Sequence, residues 1–301
     1  LSQKEEALVH RDKELDINQN DNETMQTIED IEANTNIEAN NEAIQEKQGT
    51  QTEVNNEAVQ ADKVVESEHG TETNKRYIAD IVLEVKDVTR TFQVGGKDLH
   101  ILKGINMVVP KQQLVMLKGR SGSGKTTLLN SLGGLDTPTT GSITFNGDPF
   151  SELGDHARTI VRREKMGFIF QAFALMPLLS AYENVELSLR LSNFPKTLWK
   201  QRIEECLTLV GLEKRMHHRP FELSGGEQQR VAIAKAIAHK PILLLADEPT
   251  AELDTAMSAQ IMALFRTIIK EEQISICMTT HDPSILEVAD YVYEMVDGKF
   301  I

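Results

Sequence analysis

Residues 119–126 read GRSGSGKT and bring three glycines, a lysine and several hydroxyls into one short loop. Gly119, Gly122 and Gly124 let successive backbone N–H groups turn inward, which makes a concave nest for an anion. Arg120, Ser121 and Ser123 fill the intervening positions, and Thr127 follows Thr126. The spacing G-x-x-x-x-G-K-[ST] falls on Gly119, Gly124, Lys125 and Thr126. A loop of this kind cradles the phosphates of a nucleotide. Lys125 would reach the β- and γ-phosphates, and the Thr126 hydroxyl would ligate Mg²⁺.

A second stretch, ILLLADEPTAELD at 242–254, runs an apolar segment straight into two adjacent acids, Asp247 and Glu248. A strand that ends in Asp beside a phosphate loop places that carboxylate near the cation. Glu248, one residue further on, is then positioned to polarise an attacking water, a step that needs a base within hydrogen-bond reach. The pair would divide metal binding from water activation.

These side chains need a scaffold. The apolar run from Leu114 to Leu117 predicts a strand leading into the loop, and a helix opens near Lys125, adding its positive dipole end to the anion site. Further strands are predicted at 166–170, 242–246, 274–279 and 291–295. With crossover helices they form a doubly wound α/β core whose ligand sits at the strand carboxyl ends. Residues 81–118 alternate like antiparallel strands, IVLEVKDV, LHILKGINMVV and QLVML, and predict a small β-subdomain over the nucleotide base. From Gln171 to about residue 233 a helical subdomain is expected. Its Trp199, Ile203, Cys206, Leu207 and Val210 fall at helical spacing, the stripe of a packed core.

A third stretch, LSGGEQQR at 223–230, sets Ser224, Gly225 and Gly226 at the start of an apolar-periodic helix. This is a second anion-binding helix end. One nucleotide has no evident need of two, and the economical solution is a head-to-tail dimer in which this loop covers the γ-phosphate held by the other subunit.

Taken in chain order, GRSGSGKT, the glutamine of FIFQ (Gln171), LSGGEQ, LLLADE, the aspartate of AELD (Asp254) and the histidine of TTHD (His281) resemble the motif series of ABC-transporter ATP-binding subunits. The likeness covers residues from about 80 to 301. It implies an α/β P-loop NTPase fold with an antiparallel β-subdomain and a helical subdomain. It implies ATP and Mg²⁺ as cofactors, with Gln171 sensing the metal and the attacking water. Ser224 and Gly226 would contact the γ-phosphate in trans, Asp254 would form the dimer-spanning loop, and His281 would contact the γ-phosphate and position the water. Phe92, in TRTFQVGG, sits where the family keeps an aromatic under the adenine ring, a stack worth on the order of 1 kcal/mol.

Two positions depart from the family pattern. Ala251-Glu252 precedes the Leu-Asp of the dimer loop and adds a charge near the expected interface. Lys235 stands where arginine is common, keeping the charge and losing the planar fork. Neither removes a catalytic group, so hydrolysis is expected to be intact.

The net charge of −14 is unevenly spread. Residues 1–76 carry 19 acids and 7 bases, whereas the remaining 225 residues carry 27 and 25. All 15 aromatics lie at Tyr77 or later. The first 76 residues are rich in Glu, Asn, Gln and Thr and repeat IEAN and NNEA. They bury too little apolar surface to offset ordering, so residues 1–76 are expected to be a disordered acidic tail and 77–301 the folded domain. A near-neutral core behind an acidic tail disfavours a nucleic-acid partner. Cys206 and Cys277 lack metal-ligand spacing and read as buried thiols. No apolar run approaches the roughly 18 residues of a membrane helix, and no signal or lipidation motif is evident.

What the resemblance implies for function is an ATP-hydrolysing engine at the cytoplasmic face of a membrane, held there by an integral-membrane permease that docks in the groove near Gln171. GGLDTPTTGSITFNG and the stretch after Gln171 are similar to the macrolide-export and lipoprotein-release type. A cell-division type, in which the same ATPase and permease drive an envelope hydrolase without transport, is the alternative. A soluble ABC ATPase acting on nucleic acid is disfavoured, because no coiled-coil or zinc insertion separates Lys125 from Ser224.

Overall fold

The computed structural model describes residues 80–301. The expectation of disorder for residues 1–76 lies outside the described residues.

Two sheets organise the described residues. The first is antiparallel: β1 (Ile81–Val94) pairs with β2 (Lys97–Pro110) on one side and β4 (Thr140–Phe145) on the other, and β4 continues to β5 (Asp148–Pro149). The second has the order β10-β9-β3-β8-β7-β6, using β3 (Leu114–Lys118), β6 (Met166–Ile169), β7 (Leu243–Ala246), β8 (Ser275–Thr280), β9 (Tyr291–Val296) and β10 (Lys299–Phe300). All its neighbours run parallel except β9 and β10, which run antiparallel.

Strand β3 shows why the parallel sheet holds together. Leu114 and Met116 face one core cluster, shared with Leu244, Ala246, Ile276 and Met278. Val115 and Leu117 face the other, shared with Leu243, Leu245 and Cys277. All four β3 residues are 0% exposed, as expected of a parallel strand covered on both faces. Burying each such side chain contributes roughly 1.5–3 kcal/mol.

The first face is covered by α3 (Ala181–Leu191), α4 (Trp199–Leu209), α5 (Gly225–Ile237) and α6 (Thr255–Glu272). The second carries the antiparallel sheet and α1 (Lys125–Leu132), while α2 (Asp155–Lys165) leads into β6. The predicted stripe on α4 is core: Ile203, Cys206 and Leu207 are fully buried, and Trp199 packs against the cluster. One charged residue sits among them. Arg202, 3% exposed, donates to the Ile237 and Ala238 carbonyls at 2.9 Å each and to both Glu272 oxygens at 2.8 Å. It thereby satisfies carbonyls at the end of α5, which have no helical partner of their own, and ties α4, α5 and α6 together.

Two sequence expectations are corrected. QLVML does not join the antiparallel sheet. Leu114–Lys118 belongs wholly to the parallel core, and the third antiparallel strand is β4. The predicted strand 166–170 ends at Ile169, and Phe170 is 44% exposed. Both cysteines are buried and free, and burial pushes each thiol up to about 12.

Candidate functional site

Strand β3 delivers the glycine loop at the carboxyl edge of the parallel sheet. Gly122 and Gly124 adopt φ values of 78° and 108°, which L side chains rarely tolerate. A Cβ at Gly119 would collide with the Met295 carbonyl of β9, so the backbone packs where a side chain has no room. Helix α1 then starts with no side-chain cap, which leaves its first-turn amides for another acceptor.

Lys125 is only 5% exposed. Its Nζ folds back to donate to the Gly119 carbonyl at 2.8 Å and the Arg120 carbonyl at 3.2 Å, and it lies 3.5 Å from Glu248 Oε1. The ammonium is thus held over the loop by weak acceptors that a phosphate would outcompete.

The acidic pair leaves the end of β7, the strand two positions from β3. Asp247 Oδ1 accepts from Thr126 Oγ1 at 3.2 Å and from Thr279 Oγ1 at 2.7 Å. The Glu248 amide donates to Thr279 Oγ1 at 2.8 Å. Glu248 has φ 46°, a left-handed conformation that is uncommon for a residue with a side chain. One carboxylate oxygen faces Lys125, and the other accepts from His281 Nδ1–H at 3.0 Å. The two acids therefore diverge: Asp247 turns to the hydroxyl of α1, and Glu248 to the lysine and the histidine.

These groups border a cleft of about 880 Å³. Of the residues singled out from the sequence, it brings together Gly119, Arg120, Ser121, Gly122, Gly124, Lys125, Thr126, Thr127, Gln171, Glu248 and His281. Asp247 stands behind Thr126 rather than on the wall. Ser123 is 7% exposed, and its hydroxyl has no hydrogen-bond partner among the described residues. Phe92 does not line the cleft. It lies half-buried on β1 with the Arg90 guanidinium 4.2 Å from its ring centre, and the apolar wall of the cleft is Ile101.

Ser224, Gly225, Gly226 and Asp254 lie outside this cleft as well. Ser224 caps α5 through a reciprocal box: its hydroxyl accepts from the Glu227 amide, and the Glu227 carboxylate accepts from the Ser224 amide at 2.8 Å. The Ser224 amide, and then its hydroxyl, hold the Glu227 carboxyl below the usual range despite partial burial. Gly226 packs against Met257, where a Cβ would meet the sulfur at 2.6 Å. Asp254 caps α6 by accepting from the Met257 amide at 2.8 Å. The loop carrying Ser224 and the cap at Asp254 are thus linked through Met257.

Sequence reasoning missed Thr279, Ile101, Lys118 and Glu294. Lys118 and Glu294 form an ion pair of 2.9 Å on the cleft wall, joining β3 to β9. Thr279 was visible in TTHD, but its role is set by the parallel register of β8 against β3 and β7.

The ABC transporter family model matches residues 102–251, which contain the phosphate loop, Gln171, the Ser224 loop and the acidic pair. The lipoprotein-releasing system ATP-binding protein LolD of Acinetobacter baylyi is 40% identical over 227 residues, covering 74% of this chain and 99% of that protein. The chain belongs to the ABC transporter family.

Within this family, it is an ATP-binding subunit with an ABC ATPase domain. The macrolide export ATP-binding/permease protein MacB of Syntrophobacter fumaroxidans is 41% identical over 219 residues, 72% of this chain and 31% of that protein. The ATP-binding cassette MJ0796 of Methanocaldococcus jannaschii, solved as a dimer in a post-hydrolysis state bound to ADP and Pi, superposes with a TM-score of 0.67 at 38% identity. That match covers 72% of this chain and 96% of the cassette. Among the described residues, no helix of this ABC ATPase is long and apolar enough to cross a membrane.

Proposed function

We propose that the chain powers a separate integral-membrane permease, closing as a head-to-tail dimer on ATP and reopening after hydrolysis. The carrying observation is that Lys125, Thr126, Asp247, Glu248 and His281 form one connected array, whereas Ser224 and Gly226 lie away from it. Such a separation suits a site completed by the Ser224 loop of a second copy.

The oxygens of Thr126 and Asp247 are hard donors suited to Mg²⁺. When bound there, the ion supplies charge neutralisation at the β- and γ-phosphate oxygens. The loop amides and Lys125 hold the same phosphates. Glu248 takes the proton of the attacking water as the water oxygen bonds to the γ-phosphorus. The bond to the bridging oxygen breaks, and ADP and phosphate leave. His281 holds the Glu248 carboxylate in place, and Gln171, which lines the same cleft, orients the water.

The relatives named for macrolide export and lipoprotein release support a permease of that type, with export or mechanical transmission as its output. The chain would then sit at the cytoplasmic face of the membrane through that partner. The testing experiment is affinity purification of Glu248→Gln from native membranes in ATP and Mg²⁺, followed by mass spectrometry. Recovery of a permease bearing an extracellular domain is the expected result. A permease that pairs with an envelope hydrolase would favour the cell-division alternative, and recovery of soluble partners alone would overturn both.

A further inference from the structure

Met257 stands in the first turn of α6, half-buried, with its amide donating to the Asp254 carboxylate at 2.8 Å. Its sulfur meets α5 at two points. A Cβ at Gly226 would lie 2.6 Å from Sδ, so the sulfur rests directly on the backbone of the Ser224 loop. One turn further along α5, Arg230 Nη1 donates to the same sulfur at 3.4 Å.

Arg230 is poorly served by this contact. A guanidinium carries five N–H donors, and a thioether sulfur is a weak acceptor. Among the described residues Arg230 forms no ion pair, and the sulfur is the only acceptor its side chain meets. Its Nε–H is buried with no acceptor at all. A half-buried charge held in this way is costly, and a stronger acceptor at Sδ would relieve the cost.

We propose that Met257 is a reversible oxidation site for a small peroxide, that Arg230 holds the sulfoxide oxygen, and that the modified side chain slows ATP hydrolysis. A sulfur lone pair attacks one peroxide oxygen; the S–O bond forms and the O–O bond breaks. The transferred oxygen gives its proton to the departing hydroxide, which leaves as water. Sulfur loses two electrons and the peroxide gains them. A methionine sulfoxide reductase returns the thioether. Gly226 leaves no room for an oxygen on its side of the sulfur, and Arg230 offers donors on its own, so a single epimer forms. Competing targets are few. The two cysteines are buried with thiols pushed up to about 12, and peroxide finds no thiolate there. Met176, 49% exposed, has no guanidinium on its sulfur.

An oxygen cannot enter a 3.4 Å gap unless the sulfur or the guanidinium gives way. Met257 belongs to α6 and Arg230 to α5, so the modification shifts the Ser224 loop against the cap at Asp254. The site rests on this geometry alone. The loss of turnover rests on the head-to-tail reading above, in which the Ser224 loop must meet a second copy.

The test uses the full chain carrying Met176→Leu, treated with limiting hydrogen peroxide and mapped by peptide mass spectrometry. Met257 should be oxidised ahead of Met216, which is also half-buried. Methionine sulfoxide reductases A and B each accept one epimer, so one should repair Met257 and the other should leave it oxidised. Turnover should fall about tenfold or more as Met257 is modified, with ATP affinity unchanged, and the repairing reductase should restore it. Adding Met257→Leu should make the rates before and after peroxide equal, and Arg230→Gln should remove the epimer preference. The preference with Arg230 in place stands whether or not that variant folds. Oxidation of Met257 no earlier than Met216, or equal repair by both reductases, would overturn the proposal. So would a Met257→Leu chain as sensitive to peroxide as its parent. A Glu248→Gln chain that stays monomeric in ATP would count against the head-to-tail reading and leave the mapping and the epimer preference unaffected.

Discussion

The Thr279 hydroxyl donates to Asp247 Oδ1 at 2.7 Å and accepts the Glu248 amide at 2.8 Å. One side chain on β8 thus orients both acids at the end of β7. Thr279→Val keeps the shape and removes both bonds. The variant should keep nucleotide affinity in the absence of metal while losing about 10–100-fold in Mg²⁺ affinity or turnover, the range typical of residues that orient metal ligands. Titration of ATPase rate against Mg²⁺ reads the effect, and an unchanged titration would refute the role.

Glu248→Gln preserves the shape of the side chain and the contacts of Lys125 with the loop carbonyls. It removes the proposed base. Hydrolysis should fall by about 10²–10⁴-fold with ATP binding intact. Single-turnover hydrolysis and equilibrium binding measured on one preparation separate the two quantities. Wild-type turnover would reassign the base.

Gly119→Ala tests the packing of the loop on β9. The added methyl meets the Met295 carbonyl, and backbone cannot move aside cheaply. ATP affinity should drop sharply while the parallel sheet stays folded, as read by circular dichroism alongside calorimetric titration.

Arg202→Met leaves Glu272, whose side chain is 15% exposed, without its bidentate partner and frees the carbonyls of Ile237 and Ala238. Breaking a buried pair from one side costs about 3–5 kcal/mol. Chemical denaturation should show this loss, and the double variant Arg202→Met/Glu272→Met should recover part of it. Equal stability of the single variant and the unsubstituted chain would show the pair to be dispensable.

Asp290 adds a pH dependence. Burial pushes its carboxyl up, but the Arg266 guanidinium and the Leu114 amide outweigh that and hold it below its ordinary value. A depressed folded-state pKa contributes stability that is present above the unfolded value, about 3.9, and lost as pH falls through the lower folded value. The contribution is modest, about 1 kcal/mol, because the side chain is 26% exposed. Asp290→Asn should lower stability at neutral pH and flatten the acid limb below pH about 4. An acid limb of unchanged slope would exclude Asp290 as its source.

The phosphate loop, the acidic pair, Gln171 and His281 could be read from the chain because each lies in a short contiguous pattern whose spacing is dictated by its ligand. Thr279 and Glu294 could not. Their relation to the site comes from the order in which parallel strands pair, and that order joins residues 176 positions apart, as in Lys118 and Glu294. QLVML was assigned to both sheets for a related reason. An apolar run covered on both faces signals a parallel strand, and that assignment holds; its nearness in sequence to two alternating strands suggested the antiparallel one, which does not. Strand β4 escaped notice because TGSITF is short and follows a Pro-Thr-Thr turn with little apolar pattern. Phe92 was placed by motif likeness alone, and the fold puts it beneath Arg90 instead of on the cleft wall.

The buttressing of the glycine loop by β9 has a consequence for biosynthesis. Met295 packs on Gly119, the Gly298 amide donates to the Ser123 carbonyl at 3.0 Å, and Glu294 pairs with Lys118. All three supports are translated long after the loop itself. A nascent chain that has released residues 119–126 but not 294–298 carries the binding motif without the wall behind it. Competence to hold a nucleotide is therefore acquired late and all at once, so that chains truncated before β9 are poor competitors for cellular nucleotide.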